Sequence, residues 1–282
     1  GTQTYGDAIT LGADATLIGT TINTQSTLAG GGNALTITGA VDIDGAYTGI
    51  TNLSVSGTSN IGANVTTTGT QTYVGAVTLS GGDRTLTGST INTQSTLAGG
   101  GNALAIAGAA DIDGAYTGIT NLSVSGTSNI GANVTTTGTQ TYSGAVTVSA
   151  ASTLSTTNSN VTLGDSLSLA ENLSVNTGAG AGDILVAGAI DGVKALSLSA
   201  GTGVITLSGA VGQTTRLGTI TLNSSGTTTL TQAVKAAGLT TNSGGTLLIN
   251  GGGVDTTGTQ TYGDAITLGA DATLIGTTIN TQ

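Results

Sequence analysis

The chain has 282 residues, a net charge of −10 and only 6% charged residues, against roughly a quarter in ordinary globular domains. It contains no Pro, Cys, Met, Trp, Phe or His, and its only aromatic residues are six Tyr, which excludes disulfide scaffolds and thiol, imidazole or triad nucleophiles. Four basic residues cannot build the stripe that nucleic acid or an anionic membrane surface requires, and no apolar run reaches the roughly 18 residues of a spanning helix.

In chain order, residues 1–25 come first, GTQTYGDAITLGADATLIGTTINTQ, and they return unchanged as residues 258–282. A perfect return marks a tandem array, with 1–257 as one unit and 258–282 as the start of the next. GTQTY begins at Gly1, Gly69, Gly138 and Gly258. It divides the unit into sub-repeats 1–68 and 69–137 and a divergent 138–257. Residues 22–68 return as 91–137 with three changes: Thr36 becomes Ala105, Thr38 becomes Ala107 and Val41 becomes Ala110.

The elements along the chain are short strands. Apolar residues stand two apart with a small polar residue between, as in Ile9/Leu11, Leu35/Ile37, Leu53/Val55, Val77/Leu79, Val146/Val148 and Leu247/Ile249. That is the period of a strand with one buried face. Gly and Thr recur too often for helices, and abundant Val, Ile and Thr argue against disorder. The segment VTLGDSLSLAENLSV places Val161/Leu163, Leu167/Leu169 and Leu173/Val175 six residues apart, the spacing of successive faces of a tight triangular coil. The fold class is therefore all-β, a parallel β-solenoid. The 69-residue block reads as three rungs of about 23 residues, which gives 11–13 rungs for the chain and an axial rise of about 55 Å per unit at the usual strand spacing. No proline or charge run interrupts the repeats, so one continuous solenoid is expected.

Parity assigns the faces. Leu35, Ile37, Val41, Leu53 and Val55 should point inward, and Thr36, Thr38, Asp42 and Asp44 outward. Asn23/Asn92, Asn33/Asn102 and Asn64/Asn133 recur at matching places and should form ladders or turn corners. The Tyr residues should cover corners of a coil too narrow for large aromatics, with the hydroxyl hydrogen-bonded.

Few residues carry chemistry. DIDG occurs at Asp42–Gly45 and Asp111–Gly114. Asp42, Asp44, Asp111 and Asp113 are therefore the candidate ligands for calcium, which takes carboxylate oxygens. Neither a helical-hand loop nor the nonapeptide of calcium-binding β-rolls is present, so the reading of these Asp residues is a solvated outer face, with no metal or other cofactor. The same pairs are spaced for glycoside hydrolysis, but no sugar-stacking Trp accompanies them, and the chain is not read as an enzyme. The Gly runs Ala29–Gly32, Ala98–Gly101 and Gly251–Gly253 lack a following Lys and read as turns. Thr-x-Thr pairs do not fall at each rung, as a water-ordering array would need.

The run NLSVSGTSNIGANVTTTGTQTY at Asn52–Tyr73 and its equivalents resemble the repeat regions of large bacterial exoproteins of the filamentous-haemagglutinin type. The resemblance implies a secreted, right-handed parallel β-helix serving as an adhesin stalk, without an active site. The expected role is a structural segment of a giant secreted or cell-surface fibrous protein. The alternative is a repeated module that binds carbohydrate or another cell surface and is stabilised by calcium. The expected partners are neighbouring units of the same chain, with lateral self-association an open possibility. No nucleic acid or membrane insertion is expected.

Overall fold

A computed structural model describes all 282 residues. It is all-β, with parallel pairing throughout the registered strands and no helix. The chain divides into two compact units, Gly1–Ser128 and Asn129–Gln282, and each is a β-solenoid.

In the first unit three inward ladders run from coil to coil. The first face carries Gln3, Ile22, Val41, Ser59, Val77, Leu97 and Tyr116. The second carries Ile9, Leu28, Tyr47, Val65, Leu86, Ile106 and Val124. The third carries Ala15, Leu35, Leu53, Gln71, Ile91 and Ala110. The chain visits the faces in that order without exception. The second unit has its own three, one of them running Val134, Leu154, Val175, Leu198, Leu222, Thr241, Tyr262 and Thr281.

The triangular coil is seen directly at residues 161–176. Val161–Leu163, Leu167–Leu169 and Leu173–Asn176 are its three sides, and they pair with Ile184, Ile190 and Leu196 one coil later. That coil takes 23 residues. Most are shorter: Ile22 pairs with Val41 and Val41 with Ser59, steps of 19 and 18. The first-face ladder of the first unit has seven levels and the ladder through Val134 has eight, above the 11–13 rungs expected. The expectation assumed that 69 residues close on three whole coils. They do not.

The path from Ile22 to its repeat equivalent Ile91 shows why. It climbs through Val41 and Ser59 to Val77 on the first face, then passes Leu86 on the second to reach Ile91 on the third. The copy is three coils and two faces along. Leu28 on the second face accordingly becomes Leu97 on the first, and Leu35 on the third becomes Leu104 on the second. Each 69-residue copy is turned by one face relative to the one before.

Packing follows the alternation. Leu35, Ile37, Val41, Leu53 and Val55 are buried, Thr36, Thr38 and Asp44 are exposed, and Asp42 is half-buried. Glycine is required where coils approach. A Cβ on Gly45 would lie 2.0 Å from the Ser26 carbonyl oxygen, and one on Gly114 2.0 Å from that of Ser95. Asx side chains bind successive coils at the corners: the Oδ1 atoms of Asp14, Asn52, Asn64 and Asp83 accept from the backbone N–H of Ala34, Thr70, Thr85 and Ala103, at 2.8–2.9 Å. Asn33 and Asn102 donate both within their own turns, to the Gly30 and Gly99 carbonyls, and to the preceding coil, to the Leu11 and Leu79 carbonyls.

Candidate functional site

The most repeated motif in the sequence lies inside the molecule. Where the first sub-repeat meets the second, Val65–Thr67 ends one side of the coil, Gly69 turns the corner and Thr70–Tyr73 begins the next. Gln71 and Tyr73 share inward parity, and both are fully buried. The Gln71 Nε2 donates to the Val65 carbonyl at 3.1 Å and to the Thr87 carbonyl at 2.8 Å. It thereby ties its own corner to the coil above. Tyr73 Oη donates to Gln71 Oε1 at 2.8 Å. A buried amide left unpaired costs stability, so its bonds form a closed set.

The same set recurs at the other complete copies. Gln140 Nε2 donates to the Val134 and Ser155 carbonyls at 3.1 and 2.8 Å, and Tyr142 donates to Gln140. Gln260 Nε2 donates to the Val254 and Ile275 carbonyls at 3.1 and 2.6 Å, and Tyr262 donates to Gln260. Thr67, Thr136 and Thr256 turn their hydroxyls back to the Gly69, Gly138 and Gly258 carbonyls.

Five of the six Tyr residues are therefore core residues. Tyr47, Tyr73, Tyr116, Tyr142 and Tyr262 are all fully buried, contrary to the expectation that they cover corners. A coil accepts the ring where the residues above and below are small, as at Tyr73 between Val55 and Thr93. Tyr47 and Tyr116 bond instead to Thr24 and Thr93 at 2.9 and 2.8 Å. Burial pushes the Tyr47 phenol up to about 12, and it raises those of Tyr73, Tyr116 and Tyr262 further. Parity would have found Gln71 and Tyr73, since both follow Val65 and Thr67 at even spacing.

The candidate calcium ligands lie on the outside. Asp42 sits in register between Asn23 and Asn60 on neighbouring coils. Asn60 Nδ2 donates to its Oδ1 at 2.7 Å and Asn23 Nδ2 to its Oδ2 at 3.4 Å. The Asn23 expected in a ladder is thus in one, a mixed Asn–Asp–Asn ladder, and Asn92 repeats it by donating to Asp111 at 2.7 Å. Amide donors engage both Asp42 oxygens, while Asp44 is exposed. Asp113 lies near Asp111, and partial desolvation followed by that negative neighbour raises its carboxyl above the usual range. No group of three or more acidic side chains converges anywhere.

The second unit has one broad groove of about 450 Å³ on its outer surface, lined by residues that include Asn133, Thr153, Asn172, Ser174, Ser197 and Thr221. It follows from register: Thr153, Ser174, Ser197, Thr221, Thr240 and Thr261 succeed one another in one outward column. The groove offers hydroxyls and amides but no ionised group. Two ion pairs of this unit lie elsewhere, Lys194–Glu171 at 2.9 Å and Arg216–Asp255 at 2.8 Å. The Arg216 guanidinium holds the Asp255 carboxyl below the usual carboxylate range.

No family model matches this chain, and no curated protein or solved structure matches it.

Proposed function

We propose that this chain is a structural segment of a giant secreted or cell-surface fibrous protein, acting as stalk or filament in adhesion. The observation that carries this reading is where the repetition is spent. The motif that recurs most, GTQTY, turns its Gln and Tyr into the core and bonds coil to coil. Repetition thus preserves stacking, as expected of a chain that supplies length. The one-face turn between copies points the same way, because it scatters copied surface features around the coil and aligns them on no single side. Electron micrographs of a chain carrying several 257-residue units should show stiff fibres that lengthen with copy number. Beads on a flexible string would overturn the proposal.

A second reading, a module that binds carbohydrate, is favoured by the hydroxyl and amide groove on the second unit. Neutral polyols are recognised by such groups. Retention of a glycan by the intact chain, lost with Ser197→Leu, would favour it. Absence of binding across a broad glycan panel would count against it.

A further inference from the structure

The outward column in the groove of the second unit is made of side chains that the fold does not use. Thr153, Ser174, Ser197 and Thr221 follow one another in register on successive coils, and all of them line the groove. None of their hydroxyls bonds to another group of the protein. Hydroxyls elsewhere in this unit turn back on the main chain: Ser152, Thr156 and Ser224 donate to the carbonyls of Ala150, Ser159 and Gly203. The column lies well inside the unit. Val134 pairs with Leu154 before it, and Thr240 pairs with Thr221 after it, so neighbouring coils flank it on both sides.

Two amides stand beside the column with donors to spare. Asn133 Oδ1 accepts from the Thr153 N–H at 2.8 Å, and Asn172 Oδ1 accepts from the Ala195 N–H at 2.9 Å. Each bond fixes its amide and leaves the Nδ2 free. Ala151 and Ala195 also line the groove, and their methyl groups leave room above the sheet. The result is a trough without charge or aromatic ring, carrying one free hydroxyl per coil.

The spacing selects the occupant. Stacked coils lie about 4.8 Å apart, close to the advance of one pyranose in an extended, β-linked sugar chain. From Thr153 to Thr221 the column spans about 14 Å on that spacing. A peptide advances roughly 3.4 Å per residue and falls out of step with the coils. Nucleic acid needs cations, and none lines the groove. A hydroxyl both donates and accepts, so a column of them complements sugar hydroxyls of either polarity. We infer that the groove takes a neutral, β-linked polysaccharide in extended form, running along the coil axis with one sugar residue over each coil. The inference rests on the carbohydrate reading of this groove, to which it adds the class of glycan and its direction. It does not rest on the stalk role.

Titration calorimetry of the intact chain with cellobiose, cellotetraose and maltotetraose tests it. Cellotetraose should bind about tenfold more tightly than cellobiose, because each further residue adds net hydrogen bonding. Maltotetraose, whose α-linkages curve the chain, should bind no better than cellobiose. Ser174→Leu, in the middle of the column, should bring cellotetraose down to the cellobiose level. Thr147→Leu, exposed on another side of the coil, should leave it unchanged. Thermal melts matching the parent establish that both variants are folded. If Ser174→Leu melts early, Ser174→Ala, which removes only the hydroxyl, should still weaken cellotetraose binding. Cellotetraose binding no tighter than cellobiose, or maltotetraose binding as tightly as cellotetraose, would overturn the axial arrangement and leave a carbohydrate module standing. No binding of cellotetraose would overturn the inference outright, and the wider glycan panel would then decide the carbohydrate reading by itself.

Discussion

Gln71 and Tyr73, two residues apart in one strand, are joined by a 2.8 Å bond from the Tyr hydroxyl to the Gln amide oxygen, and both side chains are fully buried. The bond completes a set in which the amide nitrogen holds the Val65 and Thr87 carbonyls. Tyr73→Phe strands the amide oxygen and should cost about 1–3 kcal/mol. Gln71→Ala also opens a cavity and frees two carbonyls, so it should cost more. Gln3→Ala, at the half-buried first copy, should cost least. Denaturant midpoints of the three variants check the order; a Gln71→Ala chain as stable as Gln3→Ala would refute the closed set.

The inward and outward faces predict a paired result at neighbouring positions. Ile37 is fully buried and Thr38 is exposed. Ile37→Asp puts an unpaired carboxyl into an aliphatic core and loses a burial worth roughly 1.5–3 kcal/mol, so it should unfold the surrounding coils. Thr38→Asp should shift the melting temperature little. Equal damage from the two would show the parity to be wrong.

That alternation was legible because Leu35, Ile37, Val41 and their partners are aliphatic at every second place. The six-residue spacing in 161–175 likewise revealed the triangular coil. Coil length was not legible, because inward positions such as Ser59 and Gln71 are polar and break the apolar pairing that marks a rung. The buried Gln–Tyr set was missed for a related reason. A Gln reads as solvated until its carbonyl partners, one of them on the next coil, are in view.

Alkali should unfold the chain through its tyrosines. Burial raises Tyr47 to about 12 and Tyr73, Tyr116 and Tyr262 beyond it, while the unfolded phenol titrates near roughly 10. A phenol harder to ionise in the fold gives stability that is complete below the unfolded value and is lost as pH rises through the folded one. The denaturation midpoint should therefore be flat up to about pH 10 and fall above it. Tyrosinate absorbance should lag behind that of free Tyr and then rise together with loss of β circular dichroism. Full ionisation near pH 10 without unfolding would contradict the burial.

Chelation tests the Asp pairs. Asp42 is held by Asn23 and Asn60, and Asp111 by Asn92, so their role is that of rungs in an amide–carboxylate ladder. Excess EDTA should leave the melting temperature unchanged, while Asn60→Leu should lower it. A large drop with EDTA, reversed by calcium, would instead assign Asp42 and Asp44 a structural ion through the usual linkage of binding to stability.

The turn of one face per copy predicts which deletions the coil tolerates. Deleting residues 23–91 joins Ile22 to Asn92, which restores the sequence that follows Ile91 in the intact chain. Beneath that junction, Thr2–Tyr5 would replace Thr70–Tyr73, which have the same sequence and make the same pairings. Ile9 and Thr10 would stand where Val77 and Thr78 stood, beneath Leu97 and Ala98. The deletion removes three coils and two faces, so every later surface residue should turn by one face relative to Thr2–Tyr5 while the core pairings survive. Deleting 23–82 instead joins Ile22 to Asp83, which sends a corner Asp into a strand position and breaks the ladders. Cooperative unfolding with a midpoint within a few degrees of the parent is expected for the first variant, and loss of cooperativity for the second. If both unfold alike, whole-copy equivalence across faces is wrong, and the 69-residue period would not be a unit of this fold.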